Sequence, residues 1–321
     1  MTEARYGMTI PFDGVPIHAQ RDWIVELADL GYTDVWSSEA NGADGFTPLA
    51  LASAWAPSLR LGSAIVPAFT RGPATLAQCV ASLADAAPGR FVFGIGTSSN
   101  VIVERWNDIP FEEPYKKTRD MVRFLRAALT GEKVKAEYET FSVNGFKLGV
   151  VPEQQPPILI AALREGMLRL AGREGDGAII NWLGADDVLK VAPVVRAFGD
   201  DKEIAARIFV APTTDRDTVM ALGRYAIAAY LTVPVYAEFH RWLGREEMLQ
   251  PMWDLWKAGD RKAALAAIPD ELVDTLIVHG SPDECRDHLA RYVANGVTTP
   301  VIALLPFGLD QRQALRDLAP R

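Results

Sequence analysis

Cysteine is scarce in this chain of 321 residues, which holds only Cys79 and Cys285. They lie far apart, and neither belongs to a CxxC or Cys/His pattern, so the sequence predicts neither a disulfide framework nor a zinc site. The four histidines show no spacing typical of metal ligands, and no GxSxG, HExxH or P-loop motif is present. Hydrolase and metalloenzyme functions therefore lack their signatures, and we predict no metal.

Long apolar runs and basic runs are missing as well. No uninterrupted apolar stretch approaches the length of a membrane span, and the first residues contain no secretory leader, so we expect a cytoplasmic protein. The 33 Lys and Arg residues are outnumbered by 41 Asp and Glu residues, which gives a net charge of −8. Neither nucleic acid nor an anionic membrane is an expected partner of such a chain.

Short apolar runs alternate along the chain with longer segments of helical periodicity, a pattern typical of βα units. Each of the eight apolar runs is expected to form a strand. The helices are expected to begin at Pro16, Pro48, Pro73, Pro114, Glu165, Asp186, Asp215 and Ser281. The predicted strands are Tyr6–Ile10, Asp34–Ser37, Leu61–Val66, Phe91–Ile95, Ile158–Ala161, Ala178–Ile180, Glu203–Val210 and Val301–Leu305.

Two segments interrupt this alternation. Residues 131–157 contain alternating apolar positions and the Asn144-Gly145 pair, which favours a hairpin turn. Residues 233–276 have helical periodicity only and are rich in aromatic residues. We predict a single domain over residues 1–321, an α/β fold of the (β/α)8 TIM-barrel type with a hairpin inserted after helix 4 and a helical insertion before strand 8. An open doubly wound sheet with a helical cap is the alternative.

Ligands of such barrels bind at the loops that follow the strands. Glu39 follows the second strand, where its carboxylate either accepts hydrogen bonds from a ligand or pairs with a neighbouring loop. The loop after the third strand carries Arg71, whose alternatives are a helix start and an ion pair with a nearby carboxylate. The loop after the fourth strand, Gly94–Asn100, allows close approach of a ligand or makes a tight turn.

The helix after the fifth strand begins with Arg164, Glu165, Gly166 and Met167. Its free backbone N–H groups and positive dipole end predict an anion site suited to a phosphate, with an ordinary helix start as the alternative. Asn181, after the sixth strand, is placed to close over the same anion.

With these loops in view, the chain resembles the luciferase-like flavin and deazaflavin oxidoreductases, within them the branch that uses coenzyme F420. The similarity spans essentially the whole chain, and the family fold is the (β/α)8 barrel. The stretches that carry it are Leu61-Gly62-Ser63 to Thr70-Arg71-Gly72-Pro73, Pro88-Gly89-Arg90 to Gly94-Ile95-Gly96-Thr97, and Ala171–Gly177.

This resemblance implies a deazaflavin across the barrel mouth, with its phosphate at Arg164–Met167 and near Asn181. In similar proteins the third strand ends in a non-prolyl cis peptide behind the cofactor ring, which here falls at Ala64–Ile65. Glu39 matches an acidic residue that contacts the cofactor in the deazaflavin branch. The other implied cofactor contacts are Ser63, in the strand-three stretch, and Thr97, in the fourth loop.

The chain departs from the family's sugar-phosphate dehydrogenases. Those proteins carry a His after the strand-two acid, a Trp shortly after it and a Glu in the strand-four loop. This sequence has Ala40, Asp44 and Ser99 at those places. Without these familiar proton donors, the remaining candidates for a general acid are Asp44, Tyr236 and His240, besides a water molecule near Asn41.

The function implied is coenzyme F420-dependent hydride transfer to or from a small organic substrate. An FMN-dependent luciferase-like monooxygenase is the nearest alternative, and a barrel that binds a cofactor without catalysis is the third. Barrels of this family often pair, so we expect a homodimer.

Overall fold

The computed structural model describes residues 5–320 and contains a closed barrel of eight parallel strands surrounded by helices. Strands that are neighbours in sequence also pair in space, and the last barrel strand pairs with the first. The predicted (β/α)8 barrel is therefore confirmed. The strands are β1 Gly7–Ile10, β2 Asp34–Ser37, β3 Arg60–Ser63, β4 Val66–Pro67, β5 Phe91–Gly96, β6 Val134–Glu137, β7 Ser142–Phe146, β8 Ile158–Ala161, β9 Gly177–Asn181, β10 Glu203–Ala211, β11 Ile277–His279 and β12 Thr299–Leu304.

The barrel consists of β1, β2, β3, β5, β8, β9, β10 and β12 in that order. The helices are α1 Arg21–Asp29, α2 Thr47–Trp55, α3 Pro73–Ala86, α4 Pro114–Ala128, α5 Glu165–Glu174, α6 Val188–Arg196, α7 Arg216–Leu231, α8 Pro234–Leu243, α9 Glu246–Lys257, α10 Arg261–Ala266, α11 Asp270–Leu276, α12 Pro282–Ala294 and α13 Gln311–Asp317.

Helix starts follow the sequence signals closely. Proline lies in the first turn of α2, α3 and α4, where its missing N–H is not needed. Asp215 caps α7 by accepting a hydrogen bond from the backbone N–H of Thr218, as predicted. The first helix is the exception, because residues after Pro16 form a short 3₁₀ turn and α1 begins only at Arg21.

Trp36 fills the middle of the barrel. Its side chain is fully buried and packs with inward-facing residues of five other strands: Val92, Leu159, Ile179, Ala205 and Val301. The indole occupies the space beside Gly62, where an added Cβ would come within 2.3 Å of the Trp36 ring. The barrel interior is thus a packed core below the mouth.

A buried ion network joins four strands at the opposite end of the barrel. Asp34 has no exposed surface and accepts hydrogen bonds from Arg60 at 2.6 Å and Arg5 at 3.0 Å. Arg60 also pairs with Glu203, which accepts a hydrogen bond from Thr299 at 2.7 Å. Each buried charge has a partner, which offsets the cost of its burial. The residues of the network belong to β2, β3, β10 and β12, so it links these four strands.

The hairpin is present after α4, but its turn lies elsewhere than predicted. Residues 138–141 make the turn, closed by the bond from the Tyr138 N–H to the Phe141 carbonyl. Asn144 and Gly145 lie within β7, beside a register irregularity between the two strands. The Tyr138 and Phe141 rings stack 4.9 Å apart and both contact Phe124, so packing on α4 sets the turn.

Two further strands differ from the sequence prediction. The third strand is interrupted between Ser63 and Val66, where the Ala64–Ile65 peptide is cis. The helical insertion, α8 to α11, is followed by the short strand β11, which was not predicted and pairs with the end of β10. Insertion residues pack with Trp182 and Phe209, so the insertion covers the mouth beside β9 and β10.

Within residues 5–320 no single helix is long and apolar enough to span a membrane, and the one pair that passes by length and composition together, α7 with α8, is bent by 104°.

Candidate active site

The mouth of the barrel is built around the interrupted third strand. Ala64 and Ile65 remain partly exposed and pack on the interior cluster that contains Trp36 and Ala205. The cis peptide falls at the place that the family resemblance implied. These two residues present a small apolar surface toward the mouth.

Ser63, expected to contact the cofactor, is fully buried. Its hydroxyl accepts a hydrogen bond from the N–H of Gly94 at 2.8 Å and donates to the carbonyl of the same residue at 3.1 Å. Both functions of the hydroxyl are used and no surface is exposed, so this geometry does not favour a direct contact between Ser63 and a cofactor, and that contact stays a prediction. Ser63 joins β3 to β5.

Glu39 forms a two-pronged ion pair with Arg71. Its Oε1 lies 2.6 Å from Nη1 and its Oε2 lies 2.8 Å from Nη2, and the N–H of Gly45 also donates to Oε2. Of the alternatives that the sequence left open for Glu39 and Arg71, the structure thus shows the ion pair. Thr70 lies 3.5 Å away from Oε1, so the carboxylate joins the loops after β2 and β4.

Asp44, a candidate general acid, caps the start of α2. Its Oδ1 accepts hydrogen bonds from the N–H groups of Phe46 at 2.8 Å and Thr47 at 3.0 Å. Burial opposes ionisation, but the hydrogen bonds from Thr47 and Phe46 outweigh it and hold the pKa of Asp44 below its ordinary value. An ionised carboxylate has no proton to donate, so this geometry does not favour Asp44 as the general acid, and that role stays a prediction.

The start of α5 remains open, as an anion site requires. Arg164 occupies the N-cap position, no side chain caps the helix, and the first N–H groups have no acceptor within the helix. Arg164, Glu165 and Gly166 are exposed and Met167 is partly buried. Glu165 bonds to Arg169 at 2.9 Å, while the nearest carboxylate oxygen to Arg164, on Glu238, lies 3.9 Å away. The Arg164 guanidinium therefore stands beside free helical N–H groups.

Asn181 orients Tyr236. The Asn181 Oδ1 accepts the N–H of Trp182 at 3.0 Å, which directs Nδ2 toward the Tyr236 hydroxyl at 3.2 Å. The amide is the donor in this pair, so the hydroxyl hydrogen of Tyr236 is free to go to another acceptor. Burial and the nearby Tyr230 raise the pKa of Tyr236 to about 12, against the opposing influence of Asn181 and Arg207.

His240 does not reach the mouth. It is fully buried, and its Nε2 donates to the Trp182 carbonyl at 3.0 Å. Burial and, to a lesser extent, Arg245 lower its pKa to about 3, although the bond to Trp182 acts in the opposite direction. Since it has no exposed surface, His240 packs on the inner side of α8, and the structure does not favour it as a general acid; that role stays a prediction.

Sequence reasoning missed Arg207. This residue lies in β10, where it pairs in register with Asn181 of β9. It follows Ala205, which faces the barrel interior, by two residues and therefore points to the same side of the strand. Its guanidinium lies 5.0 Å from the centroid of the Phe209 ring, yet within residues 5–320 no hydrogen bond or ion pair forms to it, and its Nε is buried without a partner. The detectable signal was a single charge within the apolar run Ala-Ala-Arg-Ile-Phe-Val.

Thr97 lies where the fourth barrel strand meets its loop, beside the apolar surface of Ile65. It is partly buried, and its hydroxyl donates to the Ser98 carbonyl at 3.2 Å. Just before it, an added Cβ at Gly96 would meet Ala161 at 2.8 Å and Ile65 at 3.3 Å. The absence of a side chain at Gly96 thus allows Ala161 and Ile65 to lie close to the backbone at this point.

A polar crevice of about 520 Å³ lies outside the mouth, beside β11 and α12. Two of its charged or titratable side chains have a partner in Asp274: Arg216 lies 3.0 Å from that carboxylate and His279 lies 2.8 Å from it. The unpaired cation and free phenol hydrogen lie at the mouth instead, so we assign the candidate site there.

Comparisons with known proteins agree with this geometry. The family model for luciferase-like monooxygenases matches residues 4–299. The chain is 27% identical to 5,10-methylenetetrahydromethanopterin reductase of Archaeoglobus fulgidus, over 92% of each chain. It is 30% identical to the F420-dependent glucose-6-phosphate dehydrogenase of Rhodococcus hoagii, over 82% of this chain and 78% of that protein.

Among solved structures, the coenzyme F420-dependent tetrahydromethanopterin reductase of Methanopyrus kandleri superposes with a TM-score of 0.80. It covers 99% of this chain and 98% of its own at 20% identity. At that identity the likeness shows the fold.

Proposed function

Because the chain belongs to the luciferase-like monooxygenase family, we propose that it is a coenzyme F420-dependent oxidoreductase that transfers hydride between the deazaflavin and a small organic substrate. The observation that carries this proposal is the combination of an uncapped α5 start with a small apolar surface at Ala64 and Ile65. Relatives named as F420-dependent support the choice of cofactor.

The residues present fit such a cofactor. A phosphodiester needs hydrogen-bond donors and positive charge, which the free N–H groups of Glu165, Gly166 and Met167 and the Arg164 guanidinium supply. Gly166 has no atom within 4 Å of an added Cβ, so the backbone there is open to a ligand. A flat ring needs an apolar support, which Ala64 and Ile65 supply.

When bound, the deazaflavin supplies or accepts a hydride. Reduction of a carbonyl substrate also requires a proton on its oxygen, and oxidation of an alcohol requires that proton to be removed. The Tyr236 hydroxyl is protonated at neutral pH and its hydrogen is free, so we assign it this role. Asn181 holds the phenol in place, and the insertion that carries it limits access of water.

Fluorescence titration with F420 tests the proposal. The wild type is expected to bind F420, and Arg164→Ala to bind it at least about tenfold more weakly, since a charge-assisted contact to the phosphodiester is lost. Arg173→Ala is the matched control, because its side chain is also 47% exposed but lies at the far end of α5. Failure of the wild type to bind F420 would overturn the assignment.

A second candidate function is an FMN-dependent monooxygenase, because the matching family model is named for luciferase-like monooxygenases. Parallel titration with FMN separates the two, since the preferred cofactor binds more tightly. Turnover of reduced F420 then separates either enzyme from a barrel that only binds the cofactor. A cytoplasmic location and a homodimer complete the proposal, and light scattering of the purified protein tests the second.

A further inference from the structure

Arg207 is a positive charge in the mouth that the proposed cofactor site does not use. The other arginines near the mouth have partners: Arg71 with Glu39, and Arg245 with Asp187 at 2.8 Å. Within residues 5–320 Arg207 has neither ion pair nor hydrogen bond, although its Nε is buried. A buried guanidinium N–H without an acceptor is costly, and such groups in native proteins call for an explanation.

Arg207 lies against a cluster of aromatic side chains. Phe209 supports the guanidinium from one side, and Trp182 stacks on Phe209 at a centroid distance of 4.0 Å. Arg207 is also close enough to Tyr236 to lower the pKa of its hydroxyl. Arg207 pairs in register with Asn181, whose amide donates to the Tyr236 hydroxyl, so a ligand group bound by Arg207 lies in the same part of the mouth as that hydroxyl.

We propose that Arg207 binds a carboxylate of the substrate, so that the enzyme acts on a small organic acid with its reacting carbon beside Tyr236. This inference rests on the proposed function. A planar guanidinium binds a carboxylate through two parallel hydrogen bonds. One unpaired positive charge also matches the single charge of a carboxylate better than the nearly double charge of a phosphate monoester.

The aromatic residues near Arg207 indicate the chemical nature of the rest of the substrate. Tyr230 and Tyr236 are both partly exposed and form an aromatic wall, in which their rings meet edge to face with centroids 5.4 Å apart. Such a wall favours an apolar or aromatic body attached to the carboxylate. Benzoate and its neutral isostere benzamide differ only in the charged end, which makes them suitable probes.

The test is calorimetric titration of the F420-loaded protein with benzoate and with benzamide. We expect the wild type to bind benzoate at least about tenfold more tightly than benzamide, and Arg207→Gln to show no preference. Arg207→Lys should keep part of the preference, because it retains the charge without the planar fork. Arg216→Gln, which changes an exposed arginine of α7, is the control and should behave as the wild type.

Equal binding of benzoate and benzamide by the wild type would overturn the inference, and so would an unchanged preference for benzoate in Arg207→Gln. A loss of F420 affinity in Arg207→Gln as large as its loss of benzoate affinity would also overturn it, because Arg207 would then belong to the cofactor site. If Arg207→Gln does not fold, the comparison of the wild type with Arg207→Lys decides. F420 binding is measured first on the wild type, so failure of the proposed function appears there and is distinguished from failure of the carboxylate assignment.

Discussion

Glu39 and Arg71 lie 32 residues apart, yet both carboxylate oxygens of Glu39 accept hydrogen bonds from the two terminal nitrogens of Arg71. The pair ties the loop after β2 to the loop after β4, on either side of the Ala64–Ile65 surface. Glu39 therefore contributes to the shape of the mouth by holding these two loops together through its bonds to Arg71.

Glu39→Gln is expected to lower the free energy of unfolding by about 1–3 kcal/mol, because Arg71 loses a charge-assisted partner. The two side chains are only 14% and 19% exposed, so solvent does not replace the lost bond. Urea unfolding measures the change. In Glu165→Gln, where the partners are 55% and 54% exposed, a loss below about 0.5 kcal/mol is expected. Equal losses in the two variants would contradict this account.

Gly62→Ala is expected to destabilise the barrel by about 1–3 kcal/mol, since a methyl group there overlaps the buried Trp36 ring. The indole is enclosed on all sides and has no room to move away. Gly42→Ala is the control, because nothing lies within 4 Å of its added Cβ, and its effect should stay within about 0.5 kcal/mol. A thermal unfolding scan of both variants suffices. A tolerated Gly62→Ala would show that Trp36 is not wedged in this position.

Tyr236→Phe is expected to lower kcat by about 10²–10⁴-fold while F420 affinity stays unchanged, because only the proton donor is removed. The pKa of about 12 predicts that activity of the wild type shows no decline attributable to this hydroxyl up to about pH 10. Steady-state kinetics with reduced F420 provide the measurement. Tyr225→Phe, at an exposed tyrosine of α7, serves as the control. Full activity of Tyr236→Phe would remove the residue from the mechanism.

His240 predicts a pH-dependent contribution to stability. Its folded-state pKa of about 3 lies below the ordinary 6.5, so between these values the unfolded chain binds a proton that the folded protein does not. Its contribution is therefore complete above pH 6.5 and decreases as the pH falls, by up to about 1.4 kcal/mol per pH unit. His240→Gln keeps a donor for the Trp182 carbonyl and does not titrate.

Between pH 7 and pH 5 the stability advantage of the wild type over His240→Gln should shrink by roughly 1–2 kcal/mol. Urea unfolding at several pH values measures the difference, and any other group that titrates contributes equally to both proteins. Parallel curves across this range would show that His240 is not held neutral by burial.

The sequence by itself determined the order of the elements. Apolar runs separated by helical periods encoded the eight barrel strands, and Pro73 and Asp215 marked helix starts correctly, because these signals act over a few residues. The short strand β11 escaped prediction because it directly continues a helical segment. The hairpin turn was misplaced because contacts of Tyr138 and Phe141 with α4 outweighed the local preference of Asn144-Gly145.

The tertiary structure decided what each polar residue of the site does. Nothing within a few residues of Glu39, His240 or Arg207 reveals that the first has an arginine opposite it or that the second is buried. Nor does it reveal that the third forms no hydrogen bond or ion pair with any residue from 5 to 320. Such outcomes depend on groups brought together from distant parts of the chain by barrel closure and by the insertion. Local sequence set which face of each strand points inward, whereas only the closed fold determined which inward charges were neutralised.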